Sequence, residues 1–158
     1  MSNDTHRMGQ MLTRQDCLEL VLRAAAHADA GDAQALAQLF AEDAQLQRPS
    51  GAALQGRAAI EAAYAQRPAG RITRHLVTNT LFDLSDENQP FARSQVLLWS
   101  CDEASEASAH GRPAHARQLV GEFDDRFARG PDGRWLIQRR EARFVMYRDT
   151  PAAVTSIS

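Results

Sequence analysis

Apolar and polar positions divide the chain into two parts of different period. Over residues 13–66 the apolar side chains recur at spacings of three and four, and over residues 71–148 they alternate at two. The first part predicts helices, the second a sheet. Thr13, followed three positions later by Asp16, resembles a capping box and sets the start of a first helix over residues 13–30, with Leu18, Val21, Leu22, Ala25 and Ala26 as its apolar stripe. Gly31 then breaks the helix. Asp32 is placed to N-cap a second helix over residues 33–40, which turns Ala35, Leu36, Leu39 and Phe40 inward. A short strand over residues 44–48, a Pro-Ser-Gly turn at 49–51 and a third helix over residues 58–66 follow, the last with Ile60, Ala63 and Tyr64 inward and Pro68 and Gly70 beyond its end.

Four strand-like runs then cover residues 72–84, 91–101, 115–129 and 134–148. The connections SDENQP and GPDG suit hairpins, so neighbouring strands should be antiparallel. The connection over residues 102–114 is longer and rich in Ala, Ser, Glu, Gly and Pro, which predicts a mobile surface loop with His110 solvated in it. Helices first and a long curling sheet afterwards describe an α+β fold, a cone with three N-terminal helices packed into a strongly curved antiparallel or mixed sheet. Such a cone has an open end, where a small ligand would go. A chain of 158 residues with 44% hydrophobic content suffices for one well-buried core and not for two ordinary domains. The expected organisation is a disordered segment at 1–12, a single domain at 13–150 and a loosely held tail at 151–158.

Candidate chemistry sits on two of these elements. Alternation along RITRHLVTNTLFD puts His75, Val77, Asn79 and Leu81 on one face, a mixture that suits a pocket lining, although a satisfied structural histidine fits the same pattern. Asn79 lies about 13 Å along the strand from His75, within reach of a distal part of a ligand. On the first helix Asp29 is eleven residues beyond Leu18, within roughly 20° of the same angular position, and so faces inward. An inward carboxylate needs a partner or must protonate. The alternative is that Asp29 only caps the turn before Gly31. Farther on, Phe123, Asp125, Phe127 and Arg129 share a parity, as do Trp135, Ile137 and Arg139. If those parities are concave, Phe123, Phe127 and Trp135 wall an apolar site with Arg129 available to an anion; ordinary core packing accounts for the aromatics equally. Arg126, Arg139, Arg140 and Arg143 are assigned to a solvated or subunit-facing surface.

Charge and cysteine content remove some classes. With 18 Lys+Arg against 20 Asp+Glu, no sequence-wide field would gather nucleic acid or an acidic membrane. The first dozen residues lack a secretory apolar run, and no segment reaches the length of a membrane span, so a soluble, cytoplasmic protein is expected. Cys17 and Cys101 have no metal-type spacing and are read as reduced thiols.

The order of elements, HADAGD at 27–32, QGR at 55–57, HLVTN at 75–79, and GEFDDRF followed by GRW at 133–135 resemble the SnoaL-like group of the nuclear transport factor 2 superfamily, nearest its scytalone dehydratase-like members, over about residues 13–148. The resemblance implies a catalytic Asp29–His75 pair, because members of that kind carry Asp at the end of the first helix and His on the strand after the third. His75 would take a proton from carbon next to a carbonyl or leaving group, with no metal and no organic cofactor. Asn79, Phe123, Phe127, Arg129, Trp135 and Tyr64 would contact a small apolar cyclic or polyketide-like substrate. Scytalone dehydratase has a tyrosine before its aspartate where this chain has Ala28, which leaves open an elimination whose leaving group needs less help, an isomerisation, or a degenerate binding pocket. Two function classes follow: a cofactor-independent lyase or isomerase working as a homo-oligomer, dimer before trimer, or a non-catalytic ligand-binding protein or structural subunit resembling the small (beta) subunit of ring-hydroxylating dioxygenases.

Overall fold

The structure, a computed structural model, describes residues 3–149. Three helices precede and interrupt a six-stranded sheet: α1 (Asn3–Ala30), α2 (Ala33–Ala37), β1 (Phe40–Gln47), β2 (Leu54–Gln55), α3 (Arg57–Ala65), β3 (Arg71–Asp83), β4 (Phe91–Asp102), β5 (Arg117–Arg129) and β6 (Trp135–Asp149). Strand order is β2-β1-β6-β5-β4-β3. β1 runs parallel to β6, and every other neighbouring pair is antiparallel. The α+β cone expected from the sequence is the architecture found: the sheet curls around α1.

The first helix begins ten residues before Thr13. Residues 3–12, expected to be disordered, are mostly polar, with Met8, Met11 and Leu12 exposed, which removed them from the apolar pattern; yet they contain no proline and only Gly9 to weaken a helix, so α1 continues through them. His6 there sits 3.2 Å from Glu87 in the β3–β4 turn. The residues that α1 buries are Cys17, Val21, Ala24 and Ala25, whereas Leu22 is exposed, as is Ala26. The helix is therefore rotated from the expected stripe: small residues face the sheet and let the backbones approach. The expected tail at 151–158 lies outside the described residues.

At Gly31 (φ 72°) the chain enters the left-handed region that ends many helices, with its N–H on Ala28 O and the Asp32 N–H on His27 O at 3.0 Å. Asp32 then caps α2, its carboxylate accepting from the Ala35 N–H at 2.9 Å. Phe40 opens β1 instead of closing α2. The core forms where α1 and α2 meet β1, β5 and β6, around Val21, Leu36, Phe40, Leu46, Phe127 and Ile137, with Ile60 of α3 added. Each such side chain contributes about 1.5–3 kcal/mol by leaving water.

Bulges decide which side chains face that core. In β3 the register slips between Thr78 and Leu81, and Asn79 adopts φ 49°, a conformation that asparagine tolerates better than most residues. Inward parity restarts there: Thr80 meets Ser94, Phe82 stacks on Phe127, and Leu81 is left exposed. In β6, Asp125 pairs with Arg140 but Phe127 pairs with Ile137, so Gln138 is the extra residue. That slip corrects the assignment of Arg140 to the surface. Its guanidinium is buried and doubly bonded to the fully buried Asp125, Nε to Oδ1 at 2.6 Å and Nη2 to Oδ2 at 2.8 Å.

Removing one partner of this ion pair leaves the other charge buried and uncompensated. Asp125→Asn should therefore lower the unfolding free energy by about 3–5 kcal/mol in urea titrations, while the double variant Asp125→Leu with Arg140→Met should recover most of the loss. A single variant as stable as wild type would show that the pair is not needed.

Candidate active site

Asp29 stands in the last turn of α1 and reaches across to β3. Its Oδ1 accepts from His75 Nδ1 at 2.6 Å and from the Thr73 hydroxyl at 2.8 Å, and its Oδ2 accepts from the His75 backbone N–H at 2.8 Å. Both side chains are largely covered, with relative exposures of 21% for His75 and 13% for Asp29. Arg67, just beyond α3, secures the same junction. One of its terminal nitrogens donates to Ala28 O and to Asp29 O, and the other to Arg71 O and the Thr73 hydroxyl. A cation at a helix C-terminus both caps the free carbonyls and complements the macrodipole.

Burial on its own would raise the Asp29 pKa. The hydrogen bonds from the His75 ring, the His75 backbone and Thr73, with the imidazole charge added, outweigh it and hold the group below the ordinary carboxylate value. Asp29 is thus an ionised acceptor, which fixes the His75 proton on Nδ1 and leaves Nε2 with no protein partner among the described residues. The His75 ring lies 6.5 Å from that of Phe123.

Beside the pair opens a cavity of about 200 Å³ lined by residues from α1, α2, α3 and five strands. Its space exists because Ala24, Ala25 and Ala28 occupy the helix positions facing it, where larger side chains would close it. Leu36, Leu46, Val96 and Leu98 make the wall apolar; Tyr64, Arg48, Arg140 and Arg143 supply polar groups. Burial pushes the Tyr64 hydroxyl above its ordinary pKa, with the charges of Arg140 and Arg48 pulling it back. The Arg140 guanidinium also lies 4.4 Å above the Phe123 ring.

Of the sequence-derived set, His75, Tyr64 and Phe123 line this cavity, and Asp29 stands behind His75, bonded to its ring without lining the cavity itself. The other four lie outside its lining. Asn79 is the exposed bulge residue and donates to Gln95. Phe127 and Trp135 are in the core, and Arg129 covers Trp135 at 4.0 Å while donating to Gly133 O. The alternation argument carried Asn79 past a bulge, and it extended the concave face of β5 to the core end of the cone. Sequence reasoning missed Arg48 and assigned Arg140 and Arg143, which line the cavity, to the surface; it also missed the alanines, whose run of small residues on one helix face was the available signal. Cys17 is an inert thiol: burial raises its pKa to about 12.

The chain matches the SnoaL-like domain model over residues 9–141, and it belongs to that family. None of the curated proteins matches it. Among solved structures, it is similar to a candidate scytalone dehydratase from Novosphingobium aromaticivorans, at 22% identity, with 96% of this chain and 99% of that chain covered and a TM-score of 0.75. An NTF2-like protein with a cystatin-like fold from the same organism is 25% identical, over 96% of this chain and 91% of that one, at a TM-score of 0.71. A hexachlorocyclohexane dehydrochlorinase (LinA) type 2 is 13% identical over 96% and 97%, at 0.76.

Because the folded state depresses the Asp29 pKa, that carboxylate contributes stability above the unfolded carboxylate pKa, and the contribution is lost as pH falls through the folded value. Thr73→Val deletes one donor. Carboxyl NMR titration should show the Asp29 pKa rising toward the ordinary value in this variant, and acid unfolding should begin at higher pH than in wild type. An unchanged Asp29 titration would mean that Thr73 does not contribute.

Proposed function

We propose that this SnoaL-like protein binds a small apolar cyclic molecule in the cavity and, with Asp29 and His75 as catalytic residues, transfers a proton from carbon as a lyase or isomerase. One observation carries the reading: an ionised carboxylate bonded to His75 Nδ1 at 2.6 Å, with the imidazole forming part of the wall of an apolar cavity. Similarity to structures named as a dehydratase and a dehydrochlorinase, both titles denoting eliminations, supports the same reaction class. His75 Nε2 would accept the proton from carbon adjacent to a carbonyl or a leaving group. The electron pair left on carbon moves either onto the carbonyl oxygen as an enolate or into a new double bond as the leaving group departs. Asp29 stabilises the resulting imidazolium and keeps its ring oriented. The proton then returns to another carbon in an isomerisation, or goes to a departing hydroxyl in a dehydration. Tyr64 and Phe123 hold the ring of the substrate, and the chemistry uses side chains alone.

Deuterium incorporation into cyclic ketones in D₂O, read by NMR, tests proton abstraction without requiring the natural substrate. Wild type should exchange α-hydrogens of at least one ketone, and His75→Ala should slow that exchange by about 10²–10⁴-fold. Asp29→Asn should cost about 10²-fold or more by releasing the tautomer. A His75→Ala protein that exchanges as fast as wild type would sink the reading.

The outer face of the sheet supports a homodimer. Leu76, Leu97, Val120 and Met146 are directly paired across β3, β4, β5 and β6, with Leu76, Leu97 and Met146 exposed by 54%, 39% and 59%. An apolar row of this kind is an assembly surface in the proposed dimer. Light scattering should give twice the 17.4 kDa chain mass, and Leu97→Asp should reduce it to the chain mass. A wild-type monomer would dismiss the dimer.

A further inference from the structure

Three arginines line the cavity, and the protein neutralises two of them. Arg140 is held by both oxygens of Asp125, and Arg143 is paired with Asp124 and Glu122. Arg48 differs. Among the described residues no carboxylate pairs with its guanidinium, and its Nε is buried with no hydrogen-bond partner at all.

An unpaired arginine at a strand end ordinarily swings into water, so its retention in the wall calls for a cause. The local backbone supplies part of it. Arg48 precedes Pro49, which restricts its backbone to extended conformations. The Gln47 side-chain amide donates to Arg48 O at 2.8 Å and to Gly51 O at 3.2 Å, which fixes the turn after β1. Arg48 is therefore presented to the cavity from a pinned turn, half-buried, with its Nε buried and left unsatisfied by any protein atom.

We propose that Arg48 is an anion-binding residue, and that the cavity takes an apolar ring bearing one carboxylate, with the carboxylate on the Arg48 guanidinium and the ring against the alanines of α1. The planar fork of guanidinium N–H groups matches a carboxylate, and the attraction is strong where apolar walls exclude water. One anion is the number that fits. Arg140 and Arg143 already have counterions, and Asp29 is committed to His75 and Thr73, so Arg48 is the cation that remains without one. That the carboxylate positions a reacting carbon at His75 rests on the proton-transfer reading; the anion site itself stands on Arg48 alone.

The test compares 2-naphthoate with its uncharged counterpart 2-naphthamide by isothermal titration, with the ring resonances of His75 followed by NMR to place each probe in the cavity. Wild type should bind the naphthoate at least about tenfold more tightly than the amide. Arg48→Met should remove that preference by weakening naphthoate and leaving naphthamide unchanged, and Arg48→Lys should keep part of it. If Arg48→Met does not fold, Arg48→Gln takes its place in the comparison. Equal affinities in wild type, a preference that survives loss of the guanidinium, or no binding of either probe would each overturn the proposal. The deuterium-exchange assay reads the other claim separately. A carboxylate preference without exchange sinks proton transfer and leaves the anion site, and exchange without the preference does the reverse.

Discussion

The structure turns on a carboxylate placed where a helix would rather not have one. Asp29 lies in the final turn of α1, at the negative end of the macrodipole, and is mostly withdrawn from water. Both circumstances favour its neutral form. It is nevertheless held ionised, because β3 offers three donors within 2.8 Å and Arg67 caps the carbonyls behind it. Two of those donors belong to His75, one from the ring and one from the backbone, so a single carboxylate fixes the docking of helix on strand and the orientation of the imidazole together. The rotation of α1 follows. With Asp29 turned to β3, Ala24, Ala25 and Ala28 face the interior and Leu22 faces out. The cavity is thus a consequence of the same contact that prepares the histidine.

Most of this was legible in the chain because helix period, strand period and turn chemistry agree with one another. The glycine stop at Gly31, the Asp32 cap and the hairpin connections all act locally, and they lie where the sequence placed them. The Asp29–His75 meeting was legible through angular position on one element and parity on another. What could not be read was each change of parity. Alternation holds only until a bulge inserts a residue, and Asn79 and Gln138 do so without the glycine that would have marked them. Asn79 therefore moved out of the site and Arg140 into it. The position of Asn79 in the left-handed region is a reason for asparagine at that place, separate from any ligand.

Arg140 shows why a charged residue on a strand cannot be assigned to solvent from its type. Its burial becomes tolerable only with Asp125, and the two are neighbours on adjacent strands because Gln138 shifts the register by one. Burial by itself would lower the pKa of Arg140, yet the charge and hydrogen bonds of Asp125 raise it, so the cation is permanent. Sequence separation of fifteen residues, across a turn and a bulge, conceals the pair completely. The same holds for Arg143 with Asp124 and Glu122.

These pairings bear on how such a cavity could stabilise charge. By resemblance, a scytalone dehydratase-like site would have a tyrosine before the aspartate, and Ala28 leaves that place empty of polar atoms. The polar groups of this cavity come from other elements: Arg48 after β1, Tyr64 on α3, Arg140 and Arg143 on β6. A guanidinium already bonded at two nitrogens to a carboxylate offers little net charge to a developing enolate, because the counterion cancels most of its field at short range. An unpaired one offers nearly all of it. The full charge of Arg48 therefore favours a substrate that is anionic from the start, whose own charge supplies the counterion that Arg140 and Arg143 find in the protein.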